Sequence, residues 1–184
     1  MRAFADAAEF DAWLEAQSAG SPGIYLRLAK KGAGVASISL AEAVEVALCH
    51  GWIDGRANKL DEQFWTVRFT PRRSKSIWSA KNVDTVARLV ADGRMRPAGL
   101  AAVEAAQADG RWDRAYAGPA TMTVPDDLAA ALDADPALRA AFDALDKTNR
   151  YAMCHRVHVA ASEATRAKRI ASFVEMLREG RRIH

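Results

Sequence analysis

Cysteine is scarce in this chain: among 184 residues there are two, Cys49 and Cys154, far apart and each inside a helical pattern. A disulfide-stapled secreted domain needs more of them at closer spacing, so the expectation is a pair of reduced, buried thiols in a cytoplasmic protein. There is no Cys-x-x-Cys and no His-Glu-x-x-His, the spacings that commonly announce zinc. The Gly-x-Ser-x-Gly elbow, the Walker phosphate loop and the dinucleotide fingerprint are missing too, which argues against nucleotide hydrolysis, a Rossmann cofactor and elbow-type nucleophilic catalysis. No stretch approaches the ~20 apolar residues that a membrane span requires. The opening segment, MRAFADAAEFDAWLEAQ, carries acids in its first turns and no apolar run, so it reads as an amphipathic helix rather than a signal or transit peptide. Neither an internal repeat nor a low-complexity segment is apparent along the chain.

What is present is ordinary in bulk and uneven in detail. Half of the residues are hydrophobic and 27% are charged, enough for one substantial core or two small ones. The net charge of +3 is too small to indicate a nucleic-acid binder. Residues 1–49 lean acidic, with Asp6, Glu9, Asp11, Glu15, Glu42 and Glu45 outnumbering the cations. Near the end Arg166, Lys168, Arg169, Arg178, Arg181 and Arg182 outnumber Glu163, Glu175 and Glu179, as a solvated helix face or a weak footprint for an acidic partner would.

Periodicity divides the chain into a mixed first part and a helical second part. After the first helix, Ile24, Leu26 and Leu28 alternate with polar neighbours, predicting a strand between Gly23 and Gly32. Ser39 and Glu42 form a capping box before a helix with Leu40, Val44, Ala47 and Leu48 on its apolar stripe, and Gly51 stops it. Two strands follow, Trp52–Asn58 and Phe64–Thr70, joined by a polar turn. Strict alternation places Trp52, Asp54 and Arg56 on one face. Ser79 and Pro97 open the next two helices, and Arg111–Val124 is the linker candidate. Pro125 and Pro136 occupy first-turn positions of short helices, and Tyr151–Ala160 and Glu163–Glu179 close the chain. On the last helix Ile170, Val174 and Leu177 form the stripe expected to be buried.

The stretch from Ala47 to Asn82 holds three of the five tryptophans. From Arg68 through Lys81 its charged residues are all cations. Core packing has little use for arginines beside large amphipathic rings, so the pattern points to an anion pocket, with an internal Arg and Trp network as the competing reading. Thr70 through Ser76 is a polar loop leaving a strand, and Trp78 to Asn82 leads into a helix whose first amides are open donors. His50 near Asp54 has the composition of an oriented general base, but a cation in a last helical turn also simply complements the dipole. Cys154, His155 and His158, with Cys49 and His50, are the residues to consider for a metal, although their spacing alone is weak.

Several segments resemble one known family. ALCHGWIDG, RFTPRRSKSIWSAKN, GRMRPAGL, DGRWDRAY and ATRAKRIASFVEMLREG look like the YdeI or OmpD-associated proteins, the bacteriocin-protection family, and occur in order from about Trp13 to Gly180. The resemblance implies an α+β N-terminal part followed by a helical segment. It also implies a link to an outer-membrane porin and to stress or bacteriocin tolerance, with no reaction attached. Within its GWIDG signature, Asp54 is expected to pair with Arg68, Arg72 or Arg73.

The expectation is therefore an α+β fold, a small antiparallel sheet packed with helices over residues 1–117 and a helical subdomain over 118–184. The leading function is a cytoplasmic, non-enzymatic binding protein whose ligand site draws on Trp52, Asp54, Arg68, Arg72, Arg73, Ser76, Trp78 and Asn82. No catalytic residue, metal or cofactor is assigned; the partners admitted are a small anionic ligand and a protein. The alternatives are a small hydrolase or transferase acting on an anionic substrate, with Asp54 or His50 as base and Arg72 and Arg73 as clamp, and a nucleic-acid module.

Overall fold

The computed structural model describes residues 1–17 and 19–184. They form two compact units: Met1–Trp78 with Asn82–Arg114, and Ala115–His184 with Ser79–Lys81. The fold is α+β, with eight helices and one three-stranded antiparallel sheet among the described residues.

In the first unit, helix α1 (Ala7–Glu15) begins at Asp6, whose side chain accepts from Glu9 N, and buries Phe10 and Leu14. Strand β1 (Ile24–Ala29) carries the alternating pattern, with Ile24, Leu26 and Leu28 inward. Helix α2 (Leu40–Cys49) has the capping box that Ser39 and Glu42 predict: Glu42 N donates to Ser39 Oγ at 3.2 Å, and Ser39 N to Glu42 Oε2 at 2.9 Å. Two orphan donors at the helix start are thereby satisfied. The chain leaves α2 through Gly51 (φ +72), where a left-handed residue without Cβ is required.

Strands β2 (Trp52–Lys59) and β3 (Phe64–Pro71) follow, and β3 takes the central place in the order β1-β3-β2. The intervening turn is held by Asp61, whose Oδ1 accepts from Gln63 N at 2.8 Å and Phe64 N at 2.7 Å. Val67, Phe69 and Trp52 join the β1 residues against α1 and α2, so one sheet face is covered, as half-buried antiparallel sheets are. The sequence expectation for Arg56 needs correcting. A register shift lies between Asp54, opposite Phe69, and Ala57, opposite Val67. The extra residue passes the facing from Arg56 to Ala57, so Arg56 does not share the side of Trp52 and Asp54. Helices α3 (Ala80–Ala91) and α4 (Pro97–Ala108) come next.

The second unit is helical: α5 (Asp126–Asp133), α6 (Pro136–Asp143), α7 (Lys147–His158) and α8 (Glu163–Arg178). Leu128, Leu132, Leu138, Phe142, Met153 and Phe173 are central in its core. Pro136 is the first residue of α6 as expected, but Pro125 is the N-cap of α5 rather than part of its first turn. Helix α7 starts earlier than its apolar pattern suggests, because Asp146 caps it by accepting from Asn149 N at 2.8 Å. Asn149 itself is buried, and its Oδ1 accepts from the backbone of both Ile183 and His184 at 3.0 Å, fastening the last residues to the unit.

On α8, Phe173 and Leu177 are the buried residues, while Ile170 and Val174 are half-buried. The expected stripe is thus rotated: its centre is Phe173. Among the described residues no helix is long and apolar enough to cross a membrane.

Candidate functional site

A cavity of about 470 Å³ lies in the first unit, where the end of α1, the α2–β2 turn, the end of β3 and the start of α4 meet. Its position follows from close backbone contacts. Arg72 N donates to Gly51 O at 2.9 Å and Arg96 N to Cys49 O at 3.0 Å, tying β3 and α4 to the same turn. Glycine makes that approach feasible: a Cβ on Gly99 would stand 2.2 Å from Cys49 O, and one on Gly51 2.7 Å from Ala98 O.

The charged lining is mostly cationic. His50, Arg72 and Arg96 line the cavity with Trp52, and Glu15 is the lone carboxylate among the described lining residues. Pro97 and Ala98, at the start of α4, belong to the same wall. The N-cap of that helix is Arg96, which makes no side-chain capping bond. The positive end of the α4 dipole therefore adds to the arginines.

His50, the C-cap of α2, is buried with only 7% of its surface exposed. Its Nε2 lies 2.8 Å from Asp11 Oδ1, and its Nδ1 is 3.9 Å from Glu15 Oε2. The second oxygen of Asp11 accepts from Arg96 Nη2 at 2.9 Å, so one carboxylate links histidine and arginine. Burial alone would raise the Asp11 pKa; the hydrogen bonds and charges of His50 and Arg96 outweigh it and hold the carboxyl below its ordinary range. Arg96 also lines a second, polar cavity of about 420 Å³ with Asp11, Cys49 and Arg94. Burial pushes the Cys49 thiol up despite Arg94 nearby, leaving it a weak nucleophile.

Of the eight residues singled out from the sequence, Trp52 and Arg72 line this cavity. Trp78 backs Arg72: the guanidinium carbon lies 3.4 Å from the centre of the indole ring, and Arg72 Nη1 donates to Ile77 O at 3.1 Å. Trp112 meets Trp78 edge-on at 4.8 Å, and Arg111 Nη1 donates to Ser76 O at 2.9 Å, so the first residues of the expected linker brace this network.

The others lie elsewhere. Arg73 and Ser76 close an exposed turn in which Ser76 Oγ accepts from Arg73 N. Arg68 lies over Tyr25 at 5.2 Å and donates to Pro22 O at 2.9 Å. Asn82 is a first-turn residue of α3. Asp54 sits half-buried opposite Phe69. Its expected ion pair with Arg68, Arg72 or Arg73 is not among the pairs of the described residues, and Arg68 and Arg72 are held by carbonyls and rings instead.

Sequence reasoning did not single out Asp11 or Arg96 for the site; it weighed Asp54 as a neighbour of His50, whose carboxylate partner is Asp11. Arg96 carried a signal, an arginine at the N-cap before a first-turn proline; Asp11 carried none. No group of three His, Cys, Asp or Glu suited to a metal occurs among the described residues. Cys154 is buried, with its thiol pushed up by burial. His155 packs edge-on against Tyr116 at 4.6 Å, and burial followed by neighbouring cations lowers its pKa.

Residues 2–102 match a family described as a domain of unknown function, DUF8412. Residues 121–180 match the family described as bacteriocin-protection, YdeI or OmpD-associated. The resemblance read from the sequence is borne out over that C-terminal part, where ATRAKRIASFVEMLREG lies; ALCHGWIDG and RFTPRRSKSIWSAKN fall inside the other match. No curated protein and no solved structure matches the chain.

Proposed function

We propose a function from the premise that the chain belongs to the DUF8412 family of domains of unknown function: its first unit is a non-enzymatic binding module for a small anion of the carboxylate or phosphate class. The observation that carries this is the convergence of Arg72, Arg96, His50 and the uncapped start of α4 on one cavity of about 470 Å³. Guanidinium forks and a helix N-terminus recognise anionic oxygens, and a cavity of this size suits a small molecule. Trp52 and the methyl groups of Ala98, Ala101 and Ala102 give the wall its apolar part.

Calorimetric titration and thermal melts with millimolar phosphate, sulfate, acetate and citrate test the proposal. Wild type is expected to bind at least one of them and to melt higher in its presence. R96Q and R72Q should lose that increment, each relative to its own ligand-free melt. A wild-type protein indifferent to all four anions would overturn it.

A second reading, an enzyme acting on an anionic substrate, is favoured by one observation: the 2.8 Å contact between His50 and Asp11 at the cavity wall. A carboxylate on one imidazole nitrogen fixes the orientation of the ring, as an oriented general base requires. The nucleic-acid reading has less support, since Arg166 and Arg181 each pair with a carboxylate. A role in bacteriocin tolerance, suggested by the description of the C-terminal match, completes the proposal, together with the cytoplasmic location and stress link expected from the sequence.

A further inference from the structure

An open groove of about 750 Å³ runs along α8 in the second unit, with Asp127 and Ala131 of α5 on its far side. Its α8 lining has a property unrelated to the anion cavity. Inverting the helix about its midpoint, between Ile170 and Ala171, exchanges Glu163 with Arg178 and Arg166 with Glu175, a carboxylate for a guanidinium each time. The same inversion exchanges Ile170 with Ala171 and Val174 with Ala167, a bulky apolar side chain for a methyl. A helical stripe always has positional symmetry of this kind; opposite charge and complementary bulk at every exchanged pair are features of this sequence. Ala167 and Ala171 are exposed, Ile170 and Val174 half-buried.

We infer that this groove receives α8 of a second copy of the chain, the two helices antiparallel about a two-fold axis. In an isologous contact each residue meets the one it exchanges with. Ile170 then seats on the partner's Ala171, and Val174 on the partner's Ala167, which lets two helices approach closely. At each end Glu163 meets the partner's Arg178. Among the described residues Glu163 has no ion pair, and Arg178 has only a 3.6 Å contact with Glu175, so both are available. Arg166 contributes less, being held by both oxygens of Asp127 and donating to Val157 O at 3.1 Å. A helix pair about 24 Å long covers less than the roughly 800 Å² per partner of a stable complex, so the dimer is a weak one that forms at high concentration.

Sedimentation equilibrium of the full chain from micromolar to millimolar concentration tests the inference. Wild type should shift from monomer toward dimer, more so at low salt. E163R or R178E alone places like charges at both ends and should weaken association by about tenfold; combining the two restores the attraction and should recover wild-type behaviour. A171W, at an exposed position, should abolish dimerisation while circular dichroism stays unchanged. A chain that remains monomeric at millimolar concentration, or a dimer indifferent to the charge reversals, overturns the inference.

Discussion

His50 Nε2 lies 2.8 Å from Asp11 Oδ1, across 39 residues of sequence, and that contact fixes how α1 meets the α2–β2 turn. The Asp11 pKa is held below the ordinary carboxylate value, burial opposing and the bonds from His50 and Arg96 prevailing. A depressed folded pKa means that the carboxylate contributes stability above its unfolded pKa and loses the contribution as pH falls through the folded value. D11N is therefore expected to be less stable than wild type at neutral pH, and the difference should shrink as pH falls below the ordinary aspartate value of about 3.9. Urea melts across that range check it; a gap constant with pH would show that Asp11 acts by shape alone.

Arg72 and Arg73 are adjacent in sequence and differ in surroundings. Arg72 stacks on Trp78 and donates to Ile77 O, contacts whose loss together costs about 1–3 kcal/mol. Arg73 is exposed, and its side chain makes none of these contacts. R72A should lower the melting temperature visibly, whereas R73A should stay within about 0.5 kcal/mol of wild type. Equal effects would contradict this difference in surroundings.

Gly99 decides whether α4 can reach the cavity. Alanine in a helix is ordinarily worth about 1 kcal/mol over glycine, but here its methyl would meet a backbone carbonyl, Cys49 O, at 2.2 Å. Overpacking against atoms that cannot rotate away costs about 1–3 kcal/mol. G99A should therefore be net destabilising and weaken anion binding. Gly118, where an added Cβ would meet nothing within 4 Å, serves as the control: G118A should be neutral or slightly stabilising, by about 0.4–1 kcal/mol. Chemical denaturation of both variants separates the cases.

Much of the local structure was legible because its causes are local. The capping box at Ser39 and Glu42, the alternation of Ile24, Leu26 and Leu28, and the stop at Gly51 each depend on neighbours a few residues away, and all three occur. The bulge after Asp54 was not legible: it is set by pairing with β3, and it moved Arg56 off the expected face. The candidate cavity was legible only in part. Trp52 and Arg72 stood out by composition, but Arg96 reaches Asp11 across 85 residues, a juxtaposition that only the fold creates. Trp78, which stood between the recognition-surface and internal-network readings, is a buried support for Arg72, 1% exposed.

The rotation of the α8 stripe gives the last prediction. Sequence periodicity put Ile170, Val174 and Leu177 inward; Leu177 is buried as expected, but Phe173, 4% exposed, is the other buried residue of α8, and Ile170 lies half-buried along the open groove. Truncating a fully buried phenylalanine costs about 3–5 kcal/mol, from lost transfer energy and the cavity left behind. Ile170 gives up only part of its surface to solvent exclusion, so I170A should cost clearly less, in proportion to the area it buries. Urea denaturation of F173A and I170A, at a concentration where the chain is monomeric, measures both. An I170A variant as damaged as F173A would mean that α8 turns its other side to the core and that the groove is closed.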